Sequence, residues 1–193
     1  NIYGYKIEIS GEDKADKNIK TRFLKDDSIK KLLNFENKLD LRKKIQIKVE
    51  VDINPPEGAI DEGNYLDFPT DFMIITHDRP TLLSGKCHAL LCRNYVKGRD
   101  WYDYLWYISK GIKINLEMFQ KAINQVGPWK GQNITVTGQW LKTELENKIK
   151  SLDWNYVKKD VERFIKPEKK KTLELWSEYF FIKKTNKFIN FLD

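Results

Sequence analysis

The spacing of apolar residues changes once along this 193-residue chain, and no other feature constrains the fold as much. In Lys44–Ile53 (KIQIKVEVDI) every second residue is apolar, the pattern of a β-strand with one apolar and one polar face. After residue 80 the apolar residues recur about every 3.6 positions, as in an amphipathic helix. The first helical stripe comprises Leu83, Cys87, Leu90 and Leu91. We therefore expect an α+β fold in which a sheet region precedes a helical bundle.

Local patterns then place the individual elements. The predicted strands are Ile2–Ser10, Ile19–Leu24, Lys44–Ile53 and Asp71–His77. Gly11–Asn18 is expected to be a turn, and Ser28 to cap a short helix, Ile29–Leu33. The later predicted helices are Arg99–Ser109, Asn115–Val126, Thr135–Leu152, Trp154–Ile165 and Thr172–Phe191, with Asn115 and Thr135 as caps. Lys166–Lys171 is interpreted as a solvated linker, and the domain boundary is expected between residues 78 and 79.

Composition narrows the class of partner. The formal net charge is +7, which favours an anionic partner such as a nucleotide, a nucleic acid or an acidic surface. A lysine-rich, solvated surface would give the same charge, so both interpretations stay open. The two cysteines, Cys87 and Cys92, do not form a zinc pattern or a disulfide framework. With no signal peptide and no apolar run of about 18 residues, we expect a cytoplasmic protein without a membrane span.

Charges are concentrated in Lys86–Trp106, among residues that otherwise follow an apolar helical pattern. Burying a lone charge is costly, so charges in such a place are paired or used in a site. Lys86 and Arg93 are seven residues apart and share a helical face, from which they could grip a triphosphate. Because that face lies opposite the leucine stripe, Lys86→Ala is expected to change stability little. The other charged residues of the segment are Lys97, Arg99, Asp100 and Asp103.

Two interpretations of this charged segment are possible. Asp100 is placed near the start of the second helix, where exposed amides favour a carboxylate, and Arg99 and Asp103 are spaced as an i,i+4 ion pair. These features suit a catalytic site, but they also suit a purely structural salt-bridged corner between two helices. A similar choice applies to Lys48, Glu50 and Asp52, which share one strand face. Two carboxylates ~7 Å apart along a strand could hold a divalent cation, or they could simply line a solvent face.

A longer sequence pattern contains all of these charged residues. The run KCHALLCRNYVKGRDWYDYLW, preceded by IKVEVDINPPEG and followed by INLEMFQKAINQVGPW, resembles the AbiEii/AbiGii nucleotidyltransferase toxin family. The family hallmark is a K-x-x-A-L-x-x-R helix followed by K-G-R-D-x-Y-D. Here the hallmark residues are Lys86, Ala89, Leu90, Arg93, Lys97, Gly98, Arg99, Asp100, Tyr102 and Asp103. A later D-V-x-x-F element matches at Asp160, Val161 and Phe164.

The resemblance implies a polymerase-β-like nucleotidyltransferase core, of which residues 1–78 would be the remainder, and a helical domain over 79–193. Family members are typically toxins of bacterial toxin–antitoxin or phage-defence systems, so a cognate antitoxin is an implied partner. The implied activity is magnesium-dependent transfer of a nucleotide from an NTP to an acceptor such as tRNA. Lys86 and Asp100 would be catalytic, with Lys86 on the triphosphate. Arg93, Lys97, Arg99 and Asp103 would support nucleotide binding, and Glu50 or Asp52 would supply the third metal carboxylate.

One part of the family pattern is missing from these residues. The family's metal-binding half begins with a glycine-serine or glycine-glycine turn, followed by a D-x-D pair on the next strand, and neither occurs here. The chain also opens at Asn1 rather than Met. We therefore expect this polypeptide to be a truncated transferase that is inactive alone. The alternative is a non-catalytic module that binds nucleic acid or protein through its basic helices.

Overall fold

The structure is a computed structural model that describes residues 8–10, 19–26, 45–68 and 70–189. The chain divides into two compact units, Asn1–Pro55 and Pro56–Asp193. The predicted turn Gly11–Asn18 and the predicted helix Ile29–Leu33 with its Ser28 cap lie outside the described residues.

The first unit contains an antiparallel sheet with strand order β1-β2-β3. The strands are β1 (Glu8–Ser10), β2 (Ile19–Asp26) and β3 (Ile45–Asp52). Each coincides with a segment predicted from alternation, so three of the predicted strands are confirmed within the described residues. The register pairs Ile19 with Asp52 and Thr21 with Glu50.

The second unit begins with a hairpin of β4 (Asp61–Leu66) and β5 (Phe72–His77). β5 was predicted, whereas β4 (DEGNYL) has no clear alternation and was missed. The hairpin is tied to the helices that follow: Asp78 N donates to Ile60 O at 2.9 Å, and Ile60 N donates to Thr81 Oγ1 at 3.1 Å. These bonds place the hairpin in the helical unit. The division between the two compact units therefore falls after Pro55, whereas the domain boundary expected from the sequence lies between residues 78 and 79.

The helices of this unit largely follow the predicted order. They are α1 (Arg79–Cys92), α2 (Gly98–Ser109), α3 (Leu116–Gln125), α4 (Gly138–Lys150), α5 (Trp154–Glu162) and α6 (Glu178–Ile189). Asn115 caps α3 as predicted, since its side chain accepts from Met118 N at 3.0 Å. The predicted Thr135 cap is wrong, because Thr137 Oγ1 accepts from Trp140 N at 3.1 Å and α4 begins later. No helix in the described part of the chain is long and apolar enough to cross a membrane.

The last predicted helix, Thr172–Phe191, is in fact two elements. A 3-10 helix, Pro167–Leu175, precedes α6, and Trp176 between them has an extended backbone. Trp176 leaves the helical path because its ring packs into the core, edge-on to Phe181 with centroids 5.1 Å apart. Lys166–Lys171 is therefore not a linker: all but its first residue lie in the 3-10 helix, with exposed side chains.

The core of the second unit is aromatic and surrounds α2. Trp101 and Tyr104 on α2 and Phe181 on α6 are essentially fully buried. Trp154 stacks on Phe181 with a centroid distance of 4.3 Å, and Trp101 meets both rings edge-on. Burying each such side chain contributes about 1.5–3 kcal/mol, so α2 is held firmly by its apolar face. The predicted stripe of α1 is also buried in this core.

Candidate functional site

The first turn of α2 carries a buried carboxylate, Asp100, whose residue is 4% exposed. Its position depends on Gly98, two residues earlier, where α2 meets α5. A Cβ on Gly98 would lie 2.5 Å from Val157 O, so only glycine allows this close approach of the two backbones. The Gly98 amide also donates to Asp160 Oδ2 at 2.7 Å, which replaces a helix cap. The start of α2, and Asp100 with it, is thus fixed by α5.

Asp100 binds the two cations that sequence spacing placed on one face of α1. Lys86 Nζ lies 3.2 Å from Asp100 Oδ1, and Arg93 Nη1 donates to Asp100 Oδ2. Lys86 Nζ also lies 2.7 Å from Asp103 Oδ2. We call Lys86, Arg93, Asp100 and Asp103 the charged corner. Its members lie on α1, at the residue that directly follows α1, and on α2, so the charges are paired across the α1–α2 connection, an arrangement that both interpretations of the sequence allow.

The electrostatics of the charged corner keep Lys86 protonated. Partial burial alone would lower the pKa of Lys86. The hydrogen bond and charge of Asp103, together with those of Asp100, outweigh that effect and raise the pKa above its ordinary value. Lys86 is therefore an ammonium at neutral pH. It has three N–H donors, and two face the carboxylates, which leaves one for a further acceptor.

Two more cations lie beside the charged corner. Burial lowers the pKa of Lys97; the charges of Arg93, Arg99 and Lys86 lower it further, and Asp100 opposes them. The expected ion pair between Arg99 and Asp103 is not formed, because Asp103 binds Lys86 instead. The guanidinium of Arg99 lies 4.3 Å from the ring centroid of Phe164 on the chain after α5. Four cations thus accompany two carboxylates here, an excess of positive charge suited to an anionic ligand.

Glu50 and Asp52, the predicted metal ligands, are both on β3 and belong to the first unit, whereas the charged corner belongs to the second. Both carboxylates are exposed and locally occupied. Lys48 Nζ lies 2.5 Å from Glu50 Oε1, and Asp52 Oδ1 accepts from Asn54 N at 2.9 Å. Within residues 8–10, 19–26, 45–68 and 70–189, no group of three or more His, Cys, Asp or Glu side chains could hold a metal ion. The described residues alone therefore do not fit a magnesium site.

Asp160 supports the site structurally, and its position there could not be inferred from residue spacing in the sequence. It lies 62 residues from Gly98, the backbone it binds, and no local rule links positions so far apart. The signal was present only in the D-V-x-x-F resemblance. Asp160 also holds Arg163, with 3.2 Å between Oδ1 and Nη2, and Arg163 lies near the Phe164 ring. Asp160 therefore links the N-terminus of α2 to the region of the Phe164 ring, which the Arg99 guanidinium also contacts.

Comparison with known proteins adds one match. A family model described as "Nucleotidyl transferase AbiEii toxin, Type IV TA system" matches residues 6–180, a span that includes the charged corner and Asp160. No curated protein and no solved structure matches the chain.

Proposed function

Because this chain belongs to the AbiEii family of nucleotidyl transferase toxins, we propose that its charged corner binds the triphosphate of an NTP whose nucleotide is transferred to an RNA acceptor such as tRNA. The observation that carries the proposal is the geometry of Lys86. Its ammonium is fixed by two carboxylates and keeps one donor for a phosphate oxygen. The family description names a type IV toxin–antitoxin system, so we include a cognate antitoxin gene product as a partner.

Lys86, Arg93 and Asp100 of the charged corner each have a distinct proposed role. Lys86 would neutralise charge that develops on the diphosphate when the acceptor hydroxyl attacks the α-phosphorus. A new O–P bond forms, the bond to the diphosphate breaks with its electrons leaving on oxygen, and the hydroxyl proton passes to solvent. Arg93 would bind phosphate oxygens with donors not used on Asp100, because a guanidinium has five N–H groups. Asp100 would hold both cations in place without contacting the nucleotide.

Magnesium remains a proposed cofactor, implied by the family resemblance. Its ligands are not supplied by the described residues, and none of the steps above depends on it. The sequence also lacks the glycine-serine or glycine-glycine turn and the D-x-D pair of the family pattern. We therefore propose that these 193 residues bind an NTP but transfer little or no nucleotide by themselves.

Nucleotide binding provides the test, because it does not require turnover. A fluorescent ATP analogue is titrated into the chain and into its Lys86→Ala variant. Loss of one charge-assisted hydrogen bond predicts affinity lower by about tenfold or more. The matched control is Lys110→Ala, which removes an exposed lysine just beyond the other end of α2 and should leave affinity unchanged. Equal affinities for the wild type and Lys86→Ala would refute the phosphate role.

Transfer itself is measured by incubating the chain with magnesium, labelled NTPs and total tRNA. We expect no labelling, and robust labelling would contradict the proposed inactivity. The net charge of +7 favours one other function, a module that binds nucleic acid without NTP. That function predicts RNA binding together with no measurable affinity for the ATP analogue in the same titration.

A further inference from the structure

A cavity of about 360 Å³ lies beside the charged corner, between α2, the end of α5 and the 3-10 helix. Its volume is within the range of about 300–1,000 Å³ typical of small-molecule sites. The side chains around it that carry charge or aromatic rings are Arg99, Tyr102, Asp103, Phe164, Lys166 and Lys169. We call it the Phe164 cavity. None of its cationic residues other than Arg99 was expected to belong to a site.

The Phe164 cavity has an uncompensated positive charge. Arg99, Lys166 and Lys169 line it, and within the described part of the chain none of the three forms a salt bridge. The one carboxylate in the lining, Asp103, already binds Lys86 at 2.7 Å. Lys169 N donates to Lys166 O at 2.9 Å, a 3-10 contact that places these two side chains on the same side. The two lysines can therefore meet one phosphate group together.

The other wall of the Phe164 cavity is a stacking surface. Phe164 is 50% exposed, and the guanidinium carbons of Arg99 and Arg163 lie 4.3 and 4.8 Å from its ring centroid. Exposed aromatic rings and guanidinium planes are the surfaces on which proteins stack unpaired bases. Asp103 adds hydrogen-bond acceptors, which suit a base amino group or a ribose hydroxyl. Phosphate-binding and base-stacking groups thus face the same space.

We propose that the Phe164 cavity binds one unpaired nucleotide of a single-stranded RNA, with its phosphate on Lys166 and Lys169 and its base against Phe164 and Arg99. A strand suits the surroundings better than a free nucleotide, because two further exposed lysines, Lys159 and Lys171, lie within a few residues of the lining residues in the sequence. The inference deepens the proposed function, since Asp103 belongs to both the cavity and the charged corner. A strand bound there would lie beside Lys86. Binding of the strand, however, does not depend on transfer.

The experiment measures fluorescence anisotropy of a labelled single-stranded RNA with the full 193-residue chain, over a series of salt concentrations. The phosphate variant is Lys166→Gln/Lys169→Gln, and its control is Lys110→Gln/Lys113→Gln. The control makes the same change of charge at exposed positions that do not line the cavity and lie beyond the C-terminal end of α2. The stacking variant is Phe164→Leu, and its control is Tyr179→Leu, another exposed aromatic residue that does not line the cavity.

Each variant has a distinct expected result. The phosphate variant should weaken RNA binding and reduce the slope of log affinity against log salt by about 0.7, since the two lysines bind one phosphate and each phosphate contact to a single strand contributes about 0.7. Phe164→Leu should weaken binding by about fivefold or more with an unchanged slope. Both controls should bind like the wild type. Equal loss in the variants and their controls would show only general charge attraction and would overturn the proposal.

A second arm distinguishes a strand from a free nucleotide. The fluorescent ATP analogue is titrated into the same variants, and its affinity should stay within about twofold of the wild type. If the cavity variants weaken ATP binding but not RNA binding, the cavity is part of the NTP site and the proposal fails. Conversely, if Lys86→Ala leaves ATP binding intact while the cavity variants lose RNA binding, the proposed function fails and the cavity assignment stands. Far-ultraviolet circular dichroism confirms that each variant is folded.

Discussion

Replacing Asp100 by Asn is the sharpest test of the charged corner. The substitution keeps the size of the side chain and removes its charge, so packing around the 4% exposed residue changes little. Lys86 and Arg93 then lose their shared carboxylate. An amide can accept at only one of the two positions, and its NH₂ group faces a cation at the other.

The expected cost follows from the two charge-assisted hydrogen bonds. Each is worth about 1.5–3 kcal/mol when its partner is buried. The Lys86 and Arg93 side chains are 32% and 35% exposed, so solvent compensates part of the loss. Lys86 also keeps Asp103 as a partner. We therefore expect Asp100→Asn to lower the free energy of unfolding by about 2–3 kcal/mol.

Urea unfolding monitored by tryptophan fluorescence measures this change. The matched control is Asp103→Asn, which also removes one carboxylate from Lys86, at a side chain that is 42% exposed. That control should cost no more than about 1 kcal/mol, as for other exposed ion pairs. If the two substitutions destabilise the protein equally, burial of Asp100 does not strengthen its interactions, and the corner is an ordinary surface cluster.

Three further predictions concern neighbouring parts of the second unit. Gly98→Ala should cost about 1–3 kcal/mol in urea unfolding, because its Cβ would meet the Val157 carbonyl, whereas Gly85→Ala on α1 has open space and should not destabilise. Burial raises the pKa of the Cys92 thiol by about two units, to about 11, so its alkylation by iodoacetamide at pH 8 should be roughly 100-fold slower than that of an unburied thiol. The carboxylates raise the pKa of Lys86 in the folded protein, so its ion pairs contribute their full stability below the unfolded pKa of ~10.4. The difference in unfolding free energy between wild type and Lys86→Met should therefore shrink only above that pH.

The parts of the fold that could be predicted from the sequence are those with a local cause. Alternation placed β3, helical spacing placed the buried stripe of α1, and the Asn115 cap followed from its residue type. Charges among apolar residues also indicated that the charged side chains of this segment are paired or used in a site, since unpaired charges there would be costly; the structure pairs Lys86 with Asp100. For β3, the stripe of α1 and the Asn115 cap, the deciding pattern lies within one element.

The parts that could not be predicted depend on contacts far apart in sequence. The hairpin joins the helical unit through bonds such as Asn115 Nδ2 to Gly58 O at 2.8 Å, which no local pattern indicates. Trp176 interrupts the expected last helix because its ring enters a core built from other helices. Arg99 leaves its i,i+4 partner for Phe164, so the Phe164 cavity arises only when α2 and α5 are packed together.

The burial of Asp100 changes how a functional test of Lys86 should be interpreted. Sequence spacing suggested that Lys86→Ala would leave stability unchanged, because Lys86 faces away from the leucine stripe. In the structure that substitution removes one of two cations from a buried carboxylate, and such a loss destabilises in its own right. Lost nucleotide binding in Lys86→Ala therefore supports a phosphate role only if the variant is folded under the conditions of the titration. Lys86→Arg separates the two effects, because it keeps a cation for Asp100 while changing the shape of the donor that a phosphate would meet.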